Sequence, residues 1–331
     1  MTPSTAPERR LHVVSGKGGT GKTTIAAALA LALAEEGRRT LLVEVEGRQG
    51  IAQLFETEAL PYAERRIAIG PGGGEVYALA VDAEKALLDY LQMFYKLGGA
   101  GRALRRLGAI DFATTIAPGL RDVLLTGKVC EATRRRRPDG RFVYDAVVMD
   151  APPTGRVTRF LGVNDEVAGL ARMGPIHQQA QAVMGVLKSA ETAVHLVTLL
   201  EEMPVQETAD GVAELRAAGL PVGAVVVNMV RPRVAEPNGE PSDGPAAEPA
   251  DVAPEALAEA LRSAGVRQPE RLVGPLLTQH ADYAERQSLE AAQRAELTAL
   301  ELPVRELPLL ADGADLAGIY RLARRLRDHR W

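Results

Sequence analysis

Lysine is scarce in this chain. It has 33 arginines and 6 lysines, yet Lys17 and Lys22 stand five positions apart. Both lie in Gly16-Lys-Gly-Gly-Thr-Gly-Lys-Thr-Thr24, which contains the pattern G-x4-G-K-T. The chemistry that needs such a stretch is phosphate binding. Gly16, Gly18, Gly19 and Gly21 let successive backbone N–H groups turn inward around phosphate oxygens, with Thr20 and Thr24 completing the loop. A helix starting at Lys22 adds its positive end. Lys22 supplies a charge to the β- and γ-phosphates, and the Thr23 hydroxyl is placed to ligate Mg²⁺. Keeping lysine where arginine serves nearly everywhere else points to a need for an ammonium point charge. The competing reading is a Gly-rich turn with no ligand, and it is disfavoured by the strand before the motif and the helix after it.

Carboxylates follow at two further places. Met149-Asp-Ala-Pro-Pro-Thr-Gly-Arg-Val-Thr-Arg-Phe-Leu161 comes directly after an apolar strand. An aspartate in that position, Asp150, is placed to hold Mg²⁺ through a water, and the Pro-Pro-Thr-Gly behind it can respond to a γ-phosphate. Glu44 and Glu46 alternate on one predicted strand and so share a face. Glu46 is nearer the strand's C-terminal end, where ligands bind in open α/β sheets, and is preferred to Glu44 as the site residue.

The elements that must carry these residues alternate. Leu11–Ser15, Thr40–Glu46, Val76–Val81, Tyr144–Met149, Val194–Leu200, Val222–Asn228 and Val304–Leu307 read as short, nearly continuous apolar strands. Helical stretches fall between them, the first over Lys22–Glu36. This pattern predicts an α/β fold with a doubly wound, mostly parallel sheet covered on both faces. A helical insertion is expected over about 83–140 and 165–192, within a single domain spanning 1–331. Arg231–Val252 carries five prolines among Ala, Glu and Gly and reads as a flexible linker.

Composition excludes several classes. The net charge is −4 and aromatics are 4%, which disfavours nucleic-acid binding. One cysteine, Cys130, allows no intramolecular disulfide and no Cys-rich zinc or iron–sulfur site within one subunit. No apolar run reaches membrane-spanning length, and Met1–Arg10 has no apolar core of a signal peptide. The expectation is a cytoplasmic protein, with transient membrane association left open.

The motifs together resemble one family. The form G-K-G-G-x-G-K-[ST] is similar to the deviant phosphate loop of ATPases that sandwich ATP between two subunits. In those proteins the first lysine, here Lys17, reaches the partner's phosphates. The segment from Asp150 resembles the D-T-A-P-T-G-H-T-L-R signature of the arsenical-pump and tail-anchored-protein-targeting ATPases. Asp150, Pro153, Thr154, Gly155, Arg159 and Leu161 match it, whereas Arg156 replaces the usual histidine. Aligning Phe55 with that family's downstream phenylalanine puts Glu46 at its catalytic aspartate. Val225-Val-Val-Asn-Met229 resembles the segment whose asparagine, here Asn228, contacts adenine. Leu307-Pro-Leu-Leu310 resembles the loop over the base, with Pro308 and Leu309 in contact. Glu207-Thr208 matches an E-T pair before the helix preceding the Asn228 strand.

The resemblance implies a P-loop NTPase that hydrolyses ATP with Mg²⁺, using Glu46, Lys17 and Lys22, in a homodimer or a heterodimer with a paralogous ATPase. A single cysteine does not provide the thiolates of the metalloid-binding members, the C-x-x-C zinc site of the targeting members or the cluster ligands of nitrogenase-type relatives. Neither zinc nor an iron–sulfur cluster is therefore expected. The helical insertion stands where targeting members hold a membrane-protein client, and Leu91, Met93, Phe94, Met173 and Met184 are candidate groove residues. The alternatives are a small core made by those same residues, the catalytic subunit of a membrane anion pump, or a positioning ATPase. The amphipathic C-terminal helix over Asp315–Arg330 is expected to pack on the core.

Overall fold

The computed structural model describes residues 9–34, 37–95, 118–170, 175–231, 253–311, 313–327 and 331. Eight strands form one sheet: β1 (Leu11–Gly16), β2 (Arg39–Glu44), β3 (Arg65–Ile69), β4 (Glu75–Ala80), β5 (Ala146–Asp150), β6 (Thr192–Thr198), β7 (Val222–Val230) and β8 (Val304–Pro308). Their order is β3-β4-β2-β5-β1-β6-β7-β8. All neighbouring pairs run parallel except β3 with β4. The C-terminal ends of β1, β2, β5, β6, β7 and β8 therefore lie along one edge, where an open α/β sheet holds its ligands.

The described helices are α1 (Lys22–Leu33), α2 (Gly50–Leu54), α3 (Ala83–Tyr95), α4 (Pro118–Arg134), α5 (Thr154–Leu170), α6 (Pro175–Leu187), α7 (Glu202–Ala217), α8 (Pro254–Ser263), α9 (Glu270–Thr298) and α10 (Leu316–Arg327). They cover both faces of the sheet. On one face, α1 is buried on every side from Ile25 to Ala32, between the sheet and α10. Its run of small alanines lets both neighbours approach closely. The apolar stripe of α10, Ile319, Leu322, Ala323 and Leu326, is spent on that contact, so this helix packs on the core. On the other face, β1, β2 and β5 present Val13, Val43 and Met149 to a layer built from α3 to α7.

Two expectations need correction. Residues 65–69 form an eighth strand outside the apolar pattern, because Arg65, Arg66 and Ile69 are exposed on an antiparallel edge. The second strand ends at Glu44, so Glu46 lies in the following turn and does not share a strand face with it. The helix after Asp150 runs from Thr154 to Leu170. Of the groove residues, Met184 is buried in the main core. The side chains of Leu91, Met93 and Phe94, and the whole of Met173, lie outside the described residues, as do 96–117 and 232–252, which include most of the expected linker.

Candidate functional site

The glycine-rich loop joins β1 to α1 at the centre of the sheet edge. Two of its glycines are fixed by close approach. A Cβ on Gly16 would fall 2.2 Å from the Val197 carbonyl oxygen. On Gly21, at φ +87°, it would fall 2.4 Å from Asn228 Nδ2. The loop is also braced from within, since Thr20 Oγ1 donates to the Lys17 carbonyl at 2.9 Å. Ser15, fully buried at the end of β1, donates to the Pro152 carbonyl at 2.6 Å. That bond ties the loop to the Asp150-Ala-Pro-Pro segment. A lone small polar residue closing an apolar strand was the sequence signal for it.

Thr23 and Asp150 meet. Thr23 Oγ1 donates to Asp150 Oδ2 at 2.7 Å, while Asp150 Oδ1 is buried without a hydrogen-bond partner. Burial pushes the Asp150 carboxyl up to about 6. The Thr23 hydrogen bond and Lys22 oppose the rise, and Glu44 and Glu46 add to it. An unpartnered, desolvated carboxylate oxygen beside a hydroxyl fits a divalent cation that also takes phosphate and water oxygens. Among the described residues no group of three or more His, Cys, Asp or Glu gathers to hold a metal. A cation here would therefore complete its shell from a nucleotide and water. Asp150 also sits level with Glu44 across the β2–β5 ladder.

Glu44 and Glu46 do different things. Glu44 is 2% exposed, and its two oxygens accept the N–H groups of Gln49 at 2.5 Å and Ile51 at 3.1 Å. It thereby caps the short helix α2, where the start of a helix leaves N–H groups without partners. Gly50 lies against the Thr23 methyl, so this turn closes over the Thr23–Asp150 pair. The Glu46 side chain is 20% exposed and stands 3.6 Å from Arg48 and 4.0 Å from Arg156. It is the member of the pair with a carboxylate free of backbone hydrogen bonds among the described residues. A cavity of about 680 Å³ opens beside it, lined by Arg48, Asp82, Arg121, Asp122 and Arg156 among others.

The remaining predicted residues lie on the far side of the loop. Lys17 Nζ is 2.7 Å from Glu207 Oε1 on α7 of the same chain. The E-T motif that contains Glu207 carries no local signal of this partner. Asn228 is buried at the end of β7, and its Nδ2 donates to the Thr20 carbonyl at 2.9 Å. The donor half of that amide is thus committed to the loop. Leu309 N donates to the Val230 carbonyl at 2.8 Å, which brings Pro308 and Leu309 alongside. Asn228 and Leu309 line a common cavity of about 130 Å³.

Known proteins match this chain over the same elements. The family model for the anion-transporting ATPase (ArsA) matches residues 9–190, which carry the loop, Glu44, Glu46 and Asp150. The ATPase BagA of Mycobacterium tuberculosis is 52% identical over 324 residues, covering 98% of this chain and 94% of that protein. An arsenical pump-driving ATPase of Escherichia coli is 28% identical over 248 residues, or 68% of this chain and 40% of that protein. ATPase GET3B of Arabidopsis thaliana is 22% identical over 272 residues, or 68% of this chain and 65% of that protein. With its family model matched over more than half its length, this chain belongs to the anion-transporting ATPase family.

Proposed function

We propose that this chain hydrolyses ATP with Mg²⁺ between two subunits and uses the cycle to handle a membrane-protein client. The observation that carries the reading is the convergence at one sheet edge of a phosphate loop, the Thr23–Asp150 pair with its orphaned oxygen, and a second carboxylate, Glu46. In this reading Gly16 to Thr24 wrap the triphosphate with backbone N–H groups, and Lys22 balances charge on the β- and γ-phosphates. Thr23 and Asp150 would hold Mg²⁺, which draws charge from the phosphate oxygens. Glu46 orients the attacking water and Glu44 fixes the turn that carries it. Lys17 leaves Glu207 and compensates charge on the partner's nucleotide, as an arginine finger does when supplied in trans.

The client role draws on the family resemblance and on relatives named arsenical pump-driving ATPase and GET3B. Among the described residues no helix is long and apolar enough to cross a membrane, so the chain would act on a membrane protein from outside the bilayer. The test has two stages. Purified chain should release phosphate from Mg-ATP, and Lys22→Ala should abolish that release; turnover unchanged in Lys22→Ala defeats the site assignment. Tagged Glu46→Gln, held in ATP and crosslinked in its native cells, should then co-purify with proteins bearing a single C-terminal membrane helix. Recovery of a polytopic membrane protein alone replaces the targeting reading with a pump.

A further inference from the structure

The long helix α9 is anchored at its C-terminal end. Leu297 is fully buried, and Arg294 makes a two-bonded pair with Glu306 of β8 at 2.7 and 3.2 Å. Arg286 stands at the level of the strand ends, lining a cavity with Met229 and Leu309. Residues 270–285 come before that level, about 24 Å of helix. The helix α8 packs beside α9, and both lie beyond residue 190, where the family model stops. Seven large apolar side chains are exposed among the described residues, and four of them gather here. Leu272 and Leu276 are near the start of α9. Leu289 is at its foot, and Met203 stands at the start of α7. A single exposed leucine is ordinary, whereas such a gathering marks a surface that another protein covers.

The two ends of this exposed stretch carry opposite charge. At the start, Arg262 is taken up by Glu259 at 2.5 Å and Glu270 at 3.2 Å. Arg267 and Arg271 are left exposed, with no ion pair among the described residues. At the foot, a groove of about 410 Å³ runs between α9 and the start of α7, lined by Leu200, Glu201, Glu202, Asp282, Glu285 and Leu289. The one cation among its described lining residues, Arg286, is 3.5 Å from Glu290. The other four carboxylates have no ion pair among the described residues, so the groove favours a cation beside an apolar side chain. Arg271 and Leu272 are such a pair. They cannot reach the groove of their own chain, because Arg271 and Asp282 lie on one continuous helix about 16 Å apart.

We infer that α9 docks on a second copy of this chain, the start of each α9 seating in the groove at the foot of the other. Arg271 then faces Asp282 and Glu285 of the second copy, and Leu272 meets Leu289. The two helices run antiparallel. A two-fold axis makes both contacts at once, since the start and the groove belong to one self-complementary surface. The exposed stretch stands at the strand-end edge, where the proposed reading places the nucleotides between subunits. The inference rests on that reading for the choice of edge and deepens it. It names an identical chain as the partner and a contact that is made without nucleotide.

The experiment uses the full chain without nucleotide. Cys130 is the single cysteine and is buried, so a cysteine introduced at the surface is the one that reacts. A Leu272→Cys chain mixed with a Leu289→Cys chain should give a dimer with a short bismaleimide. Neither chain should do so alone, because like positions lie about 25 Å apart along the antiparallel pair. In sedimentation at low salt, Glu285→Arg and Arg271→Glu should each weaken self-association about tenfold, and the double variant should recover to within about threefold of wild type. Thermal unfolding of each variant reports folding, and all four positions are exposed. A wild-type chain that stays monomeric without nucleotide overturns the inference. So does a dimer crosslinked through Leu272→Cys alone, or a double variant as weak as the single ones. If chains associate only with Mg-ATP and without the 272–289 crosslink, the two-subunit reading stands and the role of α9 falls. Phosphate release and its loss in Lys22→Ala are scored separately, so failure of the ATP site is distinct from failure of this contact.

Discussion

Replacing Glu44 and Glu46 by glutamine, one at a time, separates two carboxylates that lie two residues apart. Glu44 is 2% exposed, with each oxygen accepting a backbone N–H, from Gln49 and from Ile51. Glutamine in its place keeps one acceptor and turns an NH₂ group toward the other N–H. The loss is one hydrogen bond to a charged group, about 1.5–3 kcal/mol, plus the cost of a stranded donor, so about 3 kcal/mol in all. At roughly 2 °C per kcal/mol for a chain of this size, the unfolding midpoint should fall by about 5 °C or more. Glu46 has longer, partly solvated ion pairs with Arg48 and Arg156, whose side chains are 74% and 66% exposed. Such pairs contribute under about 1 kcal/mol, so Glu46→Gln should leave the midpoint nearly unchanged. Its effect should fall on turnover, which loses about 100-fold or more if Glu46 orients the water. The assays are thermal unfolding without nucleotide and phosphate release at saturating Mg-ATP. If Glu44→Gln abolishes turnover without lowering the midpoint, while Glu46→Gln remains active, Glu44 is the water-orienting residue and the reasoning from hydrogen-bond occupancy is wrong.

Three more consequences can be measured. Asp150→Asn should remove the Mg²⁺ dependence of nucleotide binding while the chain stays folded, and titrations showing an undiminished Mg²⁺ effect would place the cation elsewhere. Glu207→Gln frees Lys17 from a half-exposed pair worth about 0.2–1 kcal/mol. It should therefore tighten ATP-dependent self-association by a few-fold in sedimentation experiments, whereas weaker association would mean that the pair supports the dimer. Burial holds His12 at about 4 and His195 well below its ordinary value; their rings stack with centroids 5.4 Å apart, and His12 Nδ1 lies 3.1 Å from His195 Nε2. The unfolded chain takes up these protons near pH 6.5 and the folded chain does not. Stability should thus be intact above pH 6.5 and fall as pH drops toward 4, with His12 alone accounting for about 3 kcal/mol. Urea midpoints that stay flat from pH 7 to 5 would contradict that account.

What the sequence made legible was whatever is encoded locally. The central strands are buried on both faces, so they read as continuous apolar runs, and G-x4-G-K-T names its own strand–loop–helix setting. The edge strand β3 carries two exposed arginines and has no such signal. Glu44 and Glu46 look interchangeable in a β pattern. Their difference depends on where β2 stops and on a turn that brings Gln49 and Ile51 back over Glu44. The Lys17–Glu207 pair joins residues far apart in sequence through the packing of α7, and Arg294 pins α9 to Glu306 of β8. Partnerships of this kind are set by sheet order, which no short window of sequence contains.

The same sheet order bears on how hydrolysis would move the helical layer. Protein interiors are close-packed and transmit displacement, yet about 680 Å³ separates the Glu46 turn from the start of α4. Charge rather than contact spans that space: Arg48 and Arg156 face Glu46, and Arg121 and Asp122 stand on α4. Asp122 is half-buried, and desolvation pushes its carboxyl up even though Arg156, Arg121 and Arg159 oppose the rise. A γ-phosphate that drew Arg156 from Glu46 would, on leaving, return Arg156 to the glutamate. Each exchange redistributes positive charge in front of Asp122, near the start of α4. A filled, apolar junction would resist that exchange. An open, charged one lets the state of the phosphate bias the position of α4 without disturbing the sheet beneath it.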